Sequence, residues 1–467
     1  MIKKEEPAAG KTARTDELGS APVGRLMLRL SAPAIVAQII NLLYNMVDRI
    51  YIGHIPEAGQ LALTGVGVCL PLIMIISAFA ALAGMGSAPR ASIFLGKGQK
   101  EKAEQTLGNS VTLLFLIAVI LTAVFLLFSE DLLLMFGASE NTIDYAVSYM
   151  RIYACGTLFV QFTLGLNVFI TAQGFAKTSM LTVLIGAVTN IVLDPILIFG
   201  LHMGVAGAAL ATIISQCISM IWILRFLTGK KTVLRIRKEN LRLSPEIILP
   251  SVALGLSPFI MQATESLISV CFNSSLLKYG GDVAVATMTI ATSVMQFSLL
   301  PLQGLSQGAQ PIISFNFGAK NPDRVKSAFR ILLISCVAYS MTLWAVVMVA
   351  PQLFIRVFNN SPELLEFGVP ALRTYVAAAG IFGAQIACQQ TFIALGNAKS
   401  SLFLALLRKI ILLIPLIYLM PVLFPADRTR AVFMAEPVAD IIAVTTTVCM
   451  FAVQFGKAMK ALQAERR

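Results

Sequence analysis

Five carboxylates stand where a carboxylate is least stable: Asp48, Asp194, Glu265, Glu436 and Asp440 each lie within a long apolar run. Near the centre of a bilayer such a group costs about 3 kcal/mol or more, so each is a candidate for function. Asn190 precedes Asp194 by one helical turn, so both side chains project from one helix face. Pro195 follows at once; it lacks the backbone donor, frees a carbonyl in the preceding turn and marks a kink. Asp48 lies in the outer half of the first run, and Thr212 and Asn167 add a hydroxyl and an amide at comparable depth. Carboxylates, an amide and a hydroxyl are hard oxygen ligands suited to Na+, and a desolvated carboxylate pair is suited to H+. The plainer alternative is that these groups only satisfy one another across helix contacts.

The remaining acids read differently. Glu436 and Asp440 are one turn apart around Pro437, and Arg408 and Lys409 on the preceding run are their expected ion-pair partners, since paired buried charge is less costly than single charge. Glu265, seven residues after Pro258, either faces a cavity, where it would suit an organic cation, or partners a neighbouring helix. Gln38, Tyr44, Asn45, Asn273, Met288, Met295, Gln296 and Gln303 would suit the wall of such a cavity, thioethers being able to adapt to irregular ligands. An apolar helix core predicts the same composition.

The elements that must hold these side chains follow from hydropathy. Of 467 residues 57% are hydrophobic and 13% charged, and the mean hydropathy is +0.81. Such numbers exclude an ordinary soluble enzyme, a disordered chain and a disulfide scaffold. Apolar runs between polar breaks give twelve spans, near 29–54, 61–86, 105–128, 144–172, 178–200, 204–228, 248–277, 283–308, 325–350, 367–394, 401–423 and 430–455. The expected fold is all-α and polytopic, with polar tails at 1–28 and 456–467 and a polar linker at 229–247. Two bundles, 29–228 and 248–455, flank that linker.

Most basic residues, among them Lys97, Lys100, Lys230, Lys231, Arg237, Lys320 and Arg324, fall on the side that carries both termini. The bias predicts cytoplasmic termini in a bacterial inner membrane and explains a net charge of +12 without nucleic acid. The polar N-terminus has no signal-peptide core. The seven cysteines are scattered singly, and both histidines, His54 and His202, fall at loop edges, so no metal or redox centre is expected. Ala9–Thr12 lacks the first glycine of a phosphate loop, which is replaced by Glu5; transport driven by ATP is therefore not expected, and no cofactor is.

The two bundles repeat one another. GSAPRASIFLGKG from Gly86 returns as GAQPIISFNFGAK from Gly308, 222 residues later, and GFAKTS from Gly174 returns as GNAKSS from Gly396 at the same offset. Six spans per repeat is an even number, so the halves are parallel and related by an axis along the membrane normal. The first spans align at a slightly different offset, Pro33 and Asp48 matching Pro258 and Asn273, 225 residues later; Asn273 cannot titrate, so ion coupling is expected in the N-terminal half.

With these motifs, VDRIYIG (Val47–Gly53), TAQGFAK (Thr171–Lys177), TNIVLDPILIFG (Thr189–Gly200), GVAGAALATIISQ (Gly204–Gln216) and AEPVAD (Ala435–Asp440), nearly the whole chain resembles the multidrug and toxic compound extrusion (MATE) family, in its MepA-like prokaryotic branch. The resemblance implies two six-helix lobes around a central cavity and export of organic, often cationic, compounds against inward H+ or Na+. It also implies that Asp48, Asn190, Asp194 and Thr212, with Asn167, form the ion site of the N-lobe. A monomer is expected, with small organic cations and the bilayer as partners. Two alternatives remain. A flippase for a lipid-linked saccharide would keep the architecture but need a basic cavity. A membrane-embedded acyltransferase would need a base–nucleophile pair that the sequence does not show.

Overall fold

The computed structural model describes residues 17–56, 58–358 and 361–466. Among these residues nine helices are long and apolar enough to span a bilayer, two more spans are bent helix pairs, and the longest helix folds back as two spans. The twelve expected crossings are therefore present. The N-lobe comprises α1 (Val23–Gly53), α2 (Gly59–Gly96), α3 (Lys100–Met135), α4 (Ile143–Cys155 with Thr157–Ala172, bent by 59° at Gly156), α5 (Ala176–Pro195) and α6 (Gly204–Thr228). The run Pro245–Gly318 divides at Gly281, whose φ of 66° suits glycine, into α7 (245–280) and α8 (282–318). The C-lobe continues with α9 (Pro322–Val349), α10 (Pro362–Tyr375 with Ala379–Ala394, bent by 42°), α11 (Ala398–Leu423) and α12 (Arg428–Arg466).

Prolines at the first helical turn start α7, α9 and α10, where a missing N–H removes nothing from the helix. Two helices widen into a π-turn, α5 over Ile196–Gly200 and α11 over Leu407–Leu413. In α5 the cause is Pro195, which cannot complete the ladder; Gly207 of α6 then packs against the widened backbone at Leu197, where a Cβ would lie 2.8 Å from its carbonyl.

Of the expected tails, residues 1–16 lie outside the described residues; the described parts are not free polar segments. Met459 and Leu462, on the far extension of α12, are 2% and 7% exposed and pack in the C-lobe core together with Leu18. Both segments carry apolar residues at helical spacing within a polar composition, which hydropathy averaging conceals. The segments ahead of the two lobes are also crossed over. Leu18 and Ala21, before α1, give their carbonyls to Arg324 Nη2 at 3.0 and 2.7 Å, and Leu18 also accepts from Asn316 Nδ2 at 2.8 Å. Asn316 and Arg324 belong to the C-lobe. Conversely, the stretch before α7 is fastened to the N-lobe. Gln173 Oε1 accepts from Thr232 Oγ1, Val233 N and Leu234 N at 2.8–2.9 Å. Glu104, 4% exposed, accepts from Arg235 N and pairs with Arg237 at 2.9 Å. Asn109 Oδ1 accepts from Ser244 N at 2.6 Å. The linker expected at 229–247 is thus a strap bound to one lobe.

The repeated motif explains itself in the lobe contact. Gly86 lies against the Ser251 carbonyl and Gly255 of α7, and Gly255 against the Leu82 carbonyl; its repeat mate Gly308 lies against Ser31 of α1. Gly96 touches the Phe315 carbonyl and Gly318 the Ile93 carbonyl, a reciprocal pair. None of these sites has room for a Cβ, so the lobes meet backbone to backbone on the face that carries the termini. Gly86→Val should add an overpacking cost of about 1–3 kcal/mol to this closed arrangement alone. A shift of roughly 5- to 150-fold away from closure follows. Spin labels at Glu101 and Lys326, both exposed beside this face, should report longer distances in the variant; unchanged distances would show that the glycines do not set closure.

Candidate functional site

The polar residues of α1, α4, α5 and α6 converge on a cavity of about 390 Å3 inside the N-lobe. Gln38, Asn41, Tyr44 and Asn45 enter it from α1, Asn167 and Thr171 from α4, Asn190 from α5, and Thr212 and Gln216 from α6. Gln307 and Gln310 of α8 are the C-lobe's contribution. Asn190 is 1% exposed, and its Nδ2 donates to Asp194 Oδ1 at 3.3 Å and to Thr212 Oγ1 at 3.4 Å. Asp194, fully buried, sits one turn beyond Asn190, as Asp48 sits one turn beyond Tyr44. The two carboxylates thus stand on α1 and α5 one turn beyond lining residues of the cavity. One oxygen of each, Asp48 Oδ1 and Asp194 Oδ2, is buried without a hydrogen-bond partner. A proton shared between the pair, or a small hard cation beside it, is the chemistry such oxygens accept.

The Pro195 kink positions the pair. Because α5 cannot continue as a regular α-helix past Asp194, its end leans onto α6 at Gly207 and keeps the Asp194 carboxylate inside the lobe. Asn167 is brought to the same cavity; its Nδ2 donates to the Ser179 carbonyl at 3.4 Å while its Oδ1 is buried and unpartnered.

The C-lobe candidates are not brought to this site. Met288, expected in a ligand wall, is 2% exposed and belongs to the C-lobe core cluster that also holds Phe272 and Tyr375. Met295 is half-buried against the C-lobe core clusters, and Asn273, Gln296 and Gln303 line no part of the N-lobe cavity. The C-lobe acids are instead consumed by ion pairs. Arg408, on the π-turn of α11, binds Asp440 Oδ1 at 2.7 Å through Nε and Glu436 Oε1 at 2.9 Å through Nη2. Its guanidinium also stacks 4.5 Å from the Phe382 ring centroid. Lys409, expected from the sequence to pair with those same acids, pairs instead with Glu265 of α7. Adjacent residues of a helix point in different directions, so Arg408 reaches α12 while Lys409 reaches α7. Glu265 retains 40% of its side-chain exposure, against 8% for Lys409.

Asn41, Gln216, Gln307 and Gln310 were not singled out by sequence reasoning. Their signal was present, an amide inside an apolar run at the depth of Asn190, but without the fold nothing separates such amides from helix-contact residues.

Comparison with known proteins fits this geometry. The profile of the MatE family matches twice, over residues 33–196 and 258–419, once in each lobe. The multidrug export protein MepA of Staphylococcus haemolyticus (strain JCSC1435) is 25% identical over 431 residues, covering 92% of each chain. The multidrug export protein MepA of Staphylococcus aureus (strain NCTC 8325) is 24% identical over 404 residues, covering 86% of this chain and 88% of its own. Among solved structures, an outward-facing multidrug resistance MATE family transporter superposes with a TM-score of 0.87 at 24% identity, covering 98% of this chain and all of that one. A MATE crystal structure in a bent conformation gives 0.89 at 23% identity, with the same coverage. With a match in each lobe, together covering most of its residues, this chain belongs to the MatE family.

Proposed function

We propose that this protein exports organic cations across a bacterial inner membrane in exchange for H+ or Na+ entering the cell, with the N-lobe as the seat of both ion and drug. One observation carries the reading: a drug-sized cavity, lined by amides and hydroxyls, lies one helical turn from Asp48 and Asp194, each of which has a buried oxygen without a hydrogen-bond partner. Drug and ion then compete through one layer of charge. The relatives named multidrug export protein support the direction of transport. The basic residues of the face bearing the termini support placing that face in the cytoplasm. In the C-lobe, Arg408 and Lys409 already neutralise most of the acidic charge, which leaves less for a coupling role there. The flippase alternative gains nothing from a cavity one turn from Asp48 and Asp194, since an anionic lipid-linked cargo would be repelled.

In liposomes containing the purified protein, ethidium efflux should run under either an imposed pH gradient or an imposed Na+ gradient and stop when that gradient is collapsed. Efflux insensitive to both gradients would overturn the antiport reading.

A further inference from the structure

One wall of the N-lobe cavity belongs to the other lobe. Gln307 and Gln310 reach it from α8, one turn apart on one helix face. Both are half-buried, and neither amide makes a hydrogen bond among the described residues. Between them in the chain stands Gly308, which lies against Ser31 of α1; one turn earlier, Gly304 lies against Ile35 of α1. Ser31 Oγ also donates to the Leu305 carbonyl at 3.3 Å. The two amides are thus carried on a helix whose backbone closes the lobes.

Their place along the cavity follows from the chain directions. Helix α1 starts at the face that bears the termini, so Ala34 marks the near end of the lining and Asn45 the far end, about 16 Å away at roughly 1.5 Å per residue. Gln307 and Gln310, beside Ser31, belong to the near end, with Ala176 and Ser179 at the start of α5. The lining carries no charged side chain, and Asp48 and Asp194 stand one turn beyond residues of its far end. The internal repeat does not account for the two amides. At the 222-residue offset Gln307 matches Met85 and Gln310 matches Ala88, while Gly308 matches Gly86. The closing glycine is common to both halves; the paired amides occur only where α8 borders the cavity.

We propose that Gln307 and Gln310 form a door that the cargo pulls shut: an elongated cation that sets an uncharged hydrogen-bonding group against them draws α8 onto α1 and closes the cytoplasmic face behind itself. Parting of the lobes on that face takes α8 away from α1, and both amides with it. A group that bonds them therefore meets its partners only in the closed state, and a ligand shifts a conformational equilibrium by the difference in its affinity for the two states. A glutamine amide offers two N–H donors and an acceptor oxygen, so a carboxamide, a urea or a hydroxyl at the neutral end of the cargo can engage it. Two hydrogen bonds of ordinary strength shift the closed-to-open ratio by roughly 5- to 150-fold. A cation with an apolar tail occupies the same cavity without that shift. The inference rests on the N-lobe cavity being the drug site, and it adds the shape of cargo that operates the site and the residues that sense it.

The test compares 4′-(aminomethyl)biphenyl-4-carboxamide with its 4-methyl analogue, both cationic at pH 7 and differing only at the neutral end. Spin labels at Glu101 and Lys326, exposed on opposite lobes, report the distance across the closing face of the full-length protein in nanodiscs. Each compound is present at saturation, as judged by calorimetry. The carboxamide should raise the ratio of short to long distances at least fivefold over the methyl compound. Gln307→Leu together with Gln310→Leu should bring the two compounds level. Gln38→Leu, which removes an amide of the same cavity that moves with the N-lobe, should leave the fivefold difference in place. That contrast separates a door from a plain wall, and thermal melting in detergent confirms that the double variant is folded. Equal distance distributions for the two compounds in the wild-type protein, or a difference that survives the double variant, would overturn the door. Ethidium efflux on the same preparation reports the exporter reading separately: efflux that follows the imposed gradients leaves that reading standing whatever the labels show, and efflux insensitive to both gradients counts against it.

Discussion

Asp194→Asn and Asp48→Asn should each reduce gradient-driven export by about tenfold or more, to the leak of empty liposomes, while the protein remains folded and inserted. The substitutions are nearly isosteric, and an asparagine at 194 can still accept from Asn190, whose Nδ2 now lies 3.3 Å from Asp194 Oδ1. What is lost is the ability to carry a charge that a proton or Na+ can cancel. Two carboxylates sharing a desolvated layer repel one another, and loading the site relieves that repulsion. An ion can bias one conformation of the transporter only through such a differential interaction. Asn273→Ala, at the matching C-lobe position, has no charge to lose and should have a smaller effect. The measurement is dye efflux from liposomes under separate pH and Na+ gradients, with thermal melting in detergent as the folding control. Wild-type rates from both aspartate variants would move the ion site elsewhere, and Glu265, the half-exposed acid of the C-lobe, would be next to test.

The second large effect is on stability. Arg408→Met should destabilise the C-lobe by about 3–5 kcal/mol, because removing one partner from a buried charge cluster leaves the others uncompensated. Arg408 is 6% exposed and is the guanidinium that binds both Asp440 and Glu436, which are 2% and 5% exposed. The combined variant R408M/E436Q/D440N removes the orphaned charges as well and should recover most of the loss. Thermal midpoints in detergent decide it: a single variant as stable as the wild type, or a triple variant no better than the single, would show that the cluster is not what holds α11 to α12.

Both experiments bear on how much of this protein its sequence discloses. Apolar runs with polar breaks suffice for the crossings, since a bilayer allows a segment of that length and composition little other than a helix. The Asn190–Asp194 pair is legible for the same reason that it is unusual: a carboxylate one turn from an amide inside such a run has few readings. Long-range pairing is harder. That Lys409 would choose Glu265 rather than Glu436 depends on a π-turn in α11, which neither residue's neighbours announce. Met288 illustrates the other limit, since a thioether on an apolar helix suits a ligand wall and a helix core equally well until packing decides. The straps were missed because their anchors, Gln173, Glu104 and Arg324, meet backbone groups 60 to 306 residues away in sequence. Nothing local signals such contacts.

Those straps say something about ancestry. The segment ahead of each half lies on the other half, and it meets the start of that half's third helix in both cases: Leu18 and Ala21 near Arg324, and Ser244 near Asn109. The glycine contacts have the same reciprocity, Gly96 with Phe315 and Gly318 with Ile93. In a two-fold symmetric dimer the same patch is used twice, and exchanged arms are a common way to join identical subunits. Two copies of a six-helix protein that traded their leading segments would show this arrangement before any fusion, and joining them end to end would need only a short connection from the last helix of one copy to an arm already lying beside it. The 222-residue echo in the sequence and the crossed arms in the structure are then two records of one event, a homodimer made permanent in a single chain. What such a fusion permits is divergence: once the halves need not be identical, one can carry Asp48 where the other carries Asn273.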